Sequence, residues 1–231
     1  MRIISVLLLF ASQAAWASLI TISQPDLVYT ASTQLFVLSG PSGTVISSLT
    51  NGSETLSFAT AGGKGTTNSG ISPGYGNWGA PPFTEGPQTD YLCFISNSGN
   101  CNLAQGTSND ITLSVPAFIF GFEAQPDNSG THIYSVDFYN GGTLLGTISQ
   151  SVNGTAGARL FAASSTIPIT SVHITVPLLS DGYALARFRV QPVPEPGTLL
   201  LVGVALCWAS LRRRRVAPPI VLTASLRRQK W

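Results

Sequence analysis

Near the end of the chain an apolar run, residues 198–211, is closed by four consecutive arginines, Arg212, Arg213, Arg214 and Arg215. No soluble core accommodates that pairing, because burying unpaired guanidinium groups costs far more than burying the neighbouring leucines returns. A membrane does. The run enters the hydrocarbon and the arginines stay in the anionic cytoplasmic interface, as the positive-inside rule requires. At ~1.5 Å per residue the run is short for a core ~30 Å thick, so arginine snorkelling has to complete the span. Immediately upstream stands Val193-Pro194-Glu195-Pro196-Gly197. Each proline fixes its own φ and pushes the preceding residue out of the helical region, which predicts a stiff, extended stalk ahead of the transmembrane helix.

The opposite end has a different signature. Met1-Arg2, an apolar stretch over residues 3–11 and Ala15-Trp16-Ala17 make the basic n-region, short h-region and A-x-A site of a secretory signal peptide, with a mature chain from Ser18. Residues 1–17 therefore read as a signal helix that engages the Sec translocon and signal peptidase. The formal charge of +2 hides a segregation along the chain. Residues 18–197 hold four bases against ten acids, a net of −6, whereas the segment from Arg212 holds seven bases and no acid. An acidic domain whose basic residues lie beyond a membrane segment is no nucleic-acid binder.

From Ser18 onward apolar residues fall in short runs separated by turn residues, the pattern of strands. The Asn51-Gly52 step predicts one hairpin. A clearer one is the arm 131–139, the turn Asn140-Gly141-Gly142 and the arm 143–150, where Tyr134, Val136 and Phe138 alternate with Ser135 and Asp137. Phe118, Phe120 and Phe122 share a face, and the last strand sets Ala184, Ala186, Phe188 and Val190 against Arg187 and Arg189. Residues 61–89 hold eight glycines and four prolines and read as one long loop. Roughly nine short strands predict an all-β, two-sheet sandwich of jelly-roll type over residues 18–191. The remaining divisions are 192–215, stalk and transmembrane helix, and 216–231, a basic cytoplasmic tail.

The order proline-glutamate-proline, apolar helix, arginine cluster resembles the PEP-CTERM sorting signal of bacterial exported proteins. A second likeness lies upstream. Leu19-Ile20-Thr21-Ile22, the stretch 78–85, Phe120-Gly121-Phe122-Glu123-Ala124-Gln125-Pro126, Gly157-Ala158-Arg159-Leu160-Phe161-Ala162 and Ile169-Thr170-Ser171-Val172 resemble a recurrent, uncharacterised ectodomain of PEP-CTERM proteins. The resemblance implies recognition of Val193, Pro194, Glu195, Pro196 and Arg212 to Arg215 by an exosortase-like membrane enzyme, processing near the motif, and delivery from the inner membrane to the cell surface or beyond. It brings no assigned catalytic residues. Residues 216–231 depart from the pattern, since such signals end at or just after the arginines.

Among individual residues, Cys93 and Cys101 enclose a Ser/Asn/Gly loop in an exported chain and predict a hairpin-end disulfide, two free thiols being the other reading. Cys207 falls in the apolar run. No histidine stands at a ligand spacing from a cysteine, so neither a metal nor another cofactor is expected. With His132 heading a strand and His173 facing outward, and with no G-x-S-x-G or H-E-x-x-H motif, no catalytic triad is assembled. A glycosidase carboxylate pair would have to come from Glu123 with Asp137 or Asp181. Tyr75, Trp78 and Phe83, among glycines, form the candidate ligand loop, because sugars stack on exposed aromatic faces. The other reading is that Trp78 caps one end of the core. The expected function is a non-enzymatic, polysaccharide-associated surface or matrix protein, with a secreted carbohydrate-active enzyme as the alternative.

Overall fold

The computed structural model describes residues 18–66, 71–72, 76–79, 81–86, 88–94, 107–126, 128–178, 182–192 and 208. The chain divides into two compact units, Met1–Val193 and Pro194–Trp231. The signal segment, the sorting residues from Val193 onward, Tyr75, Cys101 and Asp181 lie outside the described residues, and so does the apolar run apart from Trp208. Among the described residues no helix is long and apolar enough to cross a membrane.

The first unit is overwhelmingly β. In chain order it comprises β1 (Leu19–Ile22), α1 (Leu27–Ser32), β2 (Gln34–Leu35), β3 (Val45–Thr50), β4 (Thr55–Thr66), β5 (Ile71–Ser72), β6 (Gly76–Asn77), β7 (Asp90–Cys93), β8 (Ser108–Pro126), β9 (Thr131–Asn140), β10 (Thr143–Asn153), β11 (Arg159–Thr175) and β12 (Tyr183–Pro192). The expected hairpin is β9–β10, paired Thr143↔Asn140 through Asn153↔Thr131. Helix α1 was not expected. Its start is fixed by Asp26, whose carboxylate accepts from the Tyr29 N–H at 2.8 Å as an N-cap.

Two separate sheets were expected, and one large antiparallel sheet is found, in the order β10-β9-β11-β8-β12-β7-β4-β3, with β1 on β11, β2 on β12 and a further β8–β4 pairing. The physical reason is strand length. What read as separate short strands join into β8, 19 residues long, and β11, 17 residues long. Pairing of β8 with β12, β12 with β7, β7 with β4 and β4 with β8 closes a ring. The sheet therefore curls on itself: Tyr134 of β9 meets Tyr183 of β12 edge-on at 6.5 Å between ring centroids, although β11 and β8 lie between those strands in the sheet. Phe58, Phe120, Phe122, Phe138, Phe161 and Phe188 fill the enclosed core.

The long strands bend at irregularities that also change which residues face inward. In β12, Tyr183 and Leu185 belong to the core before the break and Phe188 and Val190 after it. Between them the register shifts, and Arg187 takes φ 54°, the one positive φ of a non-glycine residue among those described. A bulge adds one residue and turns the following side chains to the other face. The expected single face of Ala184, Ala186, Phe188 and Val190 is thereby corrected: Ala184 and Ala186 line the opposite, outer face. Phe118 likewise is only partly buried and stands apart from the core that holds Phe120 and Phe122. The expected long loop also shrinks, because β4 continues through the glycines to Thr66, held by β7 on one side and in part by β3 on the other.

Candidate functional site

The outer face of β7, β8, β11 and β12 is paved with small residues, among them Gly121, Ala162, Ala184 and Ala186, and it is covered. The cover has two parts. Tyr29 of α1 packs with Leu160 and Ala162, and Trp78 packs with Tyr91, Cys93, Ala158, Ala184 and Ala186. Residues 81–86 lie over the same face beyond Trp78 and Gly79 and with them form a strap. Gly79 and Gly86, at φ 125° and 133°, supply turns that side-chain-bearing residues resist. The Ala158 N–H donates to the Trp78 carbonyl at 2.6 Å and ties the strap to the chain entering β11.

Glu123 is the centre of this arrangement. It is fully buried on the outer side of β8, and its two oxygens accept from the two ends of the strap: Oε2 from the Trp78 indole N–H, Oε1 from the Glu85 backbone N–H at 2.7 Å. Burial pushes its carboxyl up to about 7, against the two donated hydrogen bonds and the Arg187 charge, which favour the ionised form. The Glu85 side chain turns away to Arg189, with Nε to Oε1 at 2.5 Å and Nη2 to Oε2 at 2.7 Å, while Arg187 lies 3.6 Å from Oε2. The remaining Arg189 nitrogen, Nη1, donates to the Thr30 and Thr33 carbonyls at 3.3 and 3.4 Å, so one guanidinium links strap, sheet and the end of α1. Glu85 holds the Arg189 guanidinium above its usual range, and burial pushes the Tyr29 hydroxyl up.

The candidate ligand loop is divided by this geometry. Trp78 is wholly buried and offers no face to a sugar, which corrects its reading as an exposed platform; the physical reason is that its indole N–H has a buried acceptor in Glu123. Phe83 is exposed at the strap's tip beside Pro81 and Pro82, with the Arg159 guanidinium 4.2 Å from its ring centre. Tyr75 lies outside the described residues. Of the three carboxylates considered for a glycosidase pair, Asp181 lies outside the described residues. Glu123 holds the strap, and Asp137, on β9, accepts from Thr147 at 2.5 Å and from Tyr139 at 3.4 Å.

His132 bonds Asn128 at 2.6 Å and His173 pairs with Asp110 at 2.6 Å, each at the sheet surface. Among the described residues no group of three or more His, Cys, Asp or Glu is placed to hold a metal ion. Cys93 is fully buried and disulfide-bonded, and its expected partner Cys101 lies outside the described residues. Sequence reasoning missed the roles of Glu85, Arg187 and Arg189. It also missed Glu54, 2% exposed with both carboxylate oxygens unbonded, whose carboxyl burial pushes up. The available signal was the alternation Arg187-Phe188-Arg189 in a strand that opens with Ala184 and Ala186, since guanidinium groups on a face built for close cover need carboxylates in the cover.

Comparison with known proteins bears on the other end of the chain. Residues 192–215 match the family described as the PEP-CTERM protein-sorting motif. The chain carries a PEP-CTERM sorting motif. No curated protein matches it. Among solved structures it is similar to the enzymatically active domain of tailspike protein 4 from bacteriophage CBA120, at 13% identity, over 62% of this chain and 20% of that one, with a TM-score of 0.32. The chain thus spans about a fifth of the length of that tailspike structure.

Proposed function

We propose that this PEP-CTERM chain is a non-enzymatic bacterial surface or extracellular-matrix protein associated with exopolysaccharide. It is exported through the Sec translocon, cleaved by signal peptidase after Ala17, and held in the inner membrane lipid by residues 198–211 with Arg212 to Arg215 cytoplasmic. An exosortase-like enzyme then reads Val193-Pro194-Glu195-Pro196 and releases the ectodomain toward the cell surface. The match of residues 192–215 to the sorting motif carries this reading.

The single curled antiparallel sheet with its enclosed core supports a scaffold role. An enzyme of the glycosidase kind needs two acids facing each other across an open cleft at about 5–10 Å. Around the strap the two acids are committed elsewhere: Glu85 to two arginines, and Glu123, fully buried, to Trp78 and the strap backbone.

The decisive experiment replaces Pro194-Glu195-Pro196 by three alanines in the native host. Loss of C-terminal processing and of surface display is expected. Display and processing that continue unchanged would reduce the motif to a linker and overturn the sorting reading.

A further inference from the structure

Six strands stand side by side in one unbroken row of the sheet. A single rung crosses it: Leu144 of β10 faces Tyr139 of β9, which faces Ser171 of β11, then Thr112 of β8, Ser57 of β4 and Ser48 of β3. Every step is antiparallel, so five reversals leave β10 and β3 running in opposite directions. Among the described strands β10 pairs with β9 alone and β3 with β4 alone, which makes them the two open edges of the row. An open edge offers its N–H and C=O groups to any strand that comes alongside, and proteins blunt such edges with charge or proline. Here the charges are placed the other way round. Each inner strand holds at least one, Asp137 in β9, Arg159 in β11, Asp110 in β8 and Lys64 in β4, whereas the 11 residues of β10 and the 6 of β3 include no Asp, Glu, Lys, Arg or Pro. Each edge also exposes a large apolar side chain, Leu144 on β10 and Val45 on β3. The break in the β3–β4 register belongs to β4, which inserts residues 58–61 there; the one in the β9–β10 register adds only Leu145, so β10 is regular from Gly146 to Asn153.

We infer that copies of this chain join edge to edge, β10 of one copy on β3 of the next, into an open-ended antiparallel ribbon. The even number of strands is what allows it, because a second copy in the same orientation brings its β10 antiparallel to the first copy's β3 and the alternation of the row continues. The contact is heterologous, so every joined pair still offers one free edge of each kind and growth does not stop at a dimer. A second copy is the occupant because the chain itself supplies both complementary edges. Residues 18–197 carry a net −6, so copies repel over most of their surface, and two uncharged edges are where they approach at the least electrostatic cost. The sorting reading can fail while the ribbon stands, and the reverse, since one concerns the chain beyond Pro192 and the other the sheet.

Cross-linking of the full chain in detergent tests this. Thr147, Ser149 and Ser151 on β10 and Ser48 on β3 are exposed. Within one copy Ser48 lies five strand spacings from β10, on the order of 20 Å, so a link between them joins two copies. Ser48→Cys is combined in turn with Thr147→Cys, Ser149→Cys and Ser151→Cys, three registers two residues apart. Under mild oxidation at least one double variant should give a ladder of dimers, trimers and larger species, with mass spectrometry locating the link between the β3 and β10 cysteines, and the ladder should be lost in each single variant and in the unmodified chain. Absence of that link from all three double variants overturns the ribbon. So do links of Ser48→Cys to itself or of a β10 cysteine to itself in place of the mixed one, since those mark two-fold pairing that ends at a dimer. Hydrogen exchange of the unmodified chain needs no variant: as protein is raised at fixed detergent, protection of the β10 and β3 amides should rise while that of β8 and β11 stays level. Edge protection that does not change with concentration overturns the inference on its own.

Discussion

Strands β9 and β12 each span ten residues, yet they bury their side chains by different rules. In β9 the centre alternates: Tyr134, Val136 and Phe138 are buried, while Ser135 and Asp137 between them are only partly so. In β12 four consecutive residues, Tyr183 to Ala186, are all buried. The difference lies in what covers the outer face. Water covers that of β9, whereas α1 and the strap cover that of the sheet around β12, so alternation between apolar and polar is replaced there by alternation between large and small. A sheet face without large side chains is thus a docking floor for other parts of the same chain.

Two glycines give the sharpest test of this contrast. A Cβ on Gly121, under α1, would lie 2.3 Å from the Ala162 Cβ and 2.8 Å from its Cα, whereas at Gly142, in the β9–β10 turn, nothing lies within 4 Å. Gly121→Ala should cost about 3 kcal/mol or more, and Gly142→Ala should stay within about 0.5 kcal/mol. Urea midpoints measure both. Equal costs would mean that the outer face around β8 is not closely covered.

The arginines supply the next effect. Arg189→Met takes both of its hydrogen bonds from the nearly buried Glu85 carboxylate, leaving it only Arg187 at 3.6 Å, and should cost about 2–3 kcal/mol. Arg159→Met loses a cation–π contact over an exposed Phe83 and a hydrogen bond to the Ala158 carbonyl at 3.1 Å, and should cost about 1 kcal/mol. If the two variants shift the urea midpoint alike, Arg189 is a solvated charge after all.

The last test concerns β7. We propose that the disulfide of Cys93 closes on Cys101; such a short loop is worth about 2–3 kcal/mol in the chain-entropy model. Mass spectrometry of the unreduced protein should find a peptide linking the two. A link from Cys93 to Cys207, or two alkylatable thiols at 93 and 101, would refute the pairing.

Legibility in the sequence followed cover closely. The β9–β10 hairpin could be placed almost to the residue, because one wet face writes period two into the chain and Asn140-Gly141-Gly142 marks the turn. The phase of β12 after Arg187 could not, since a bulge centred on an arginine lacks the glycine that announces one. Nor could the extension of β4 through Gly62, Gly63 and Gly65: those glycines looked like loop, but Gly62 and Gly65 make room for Phe94 and Tyr91, which would press on added side chains at 2.9 and 2.1 Å. The strap was hidden for a related reason. Trp78 and Glu123 are 45 residues apart, and only the curled sheet makes them partners.

Strand β12 keeps its pairing to the very end, with Pro192 opposite Ala117. Only Val193 separates that last rung from Pro194, and two residues of chain reach at most ~7 Å. The described ladder of β12 thus runs to within two residues of the first proline of the sorting motif, so a substitution that frays its last rung would lengthen the segment ahead of that motif.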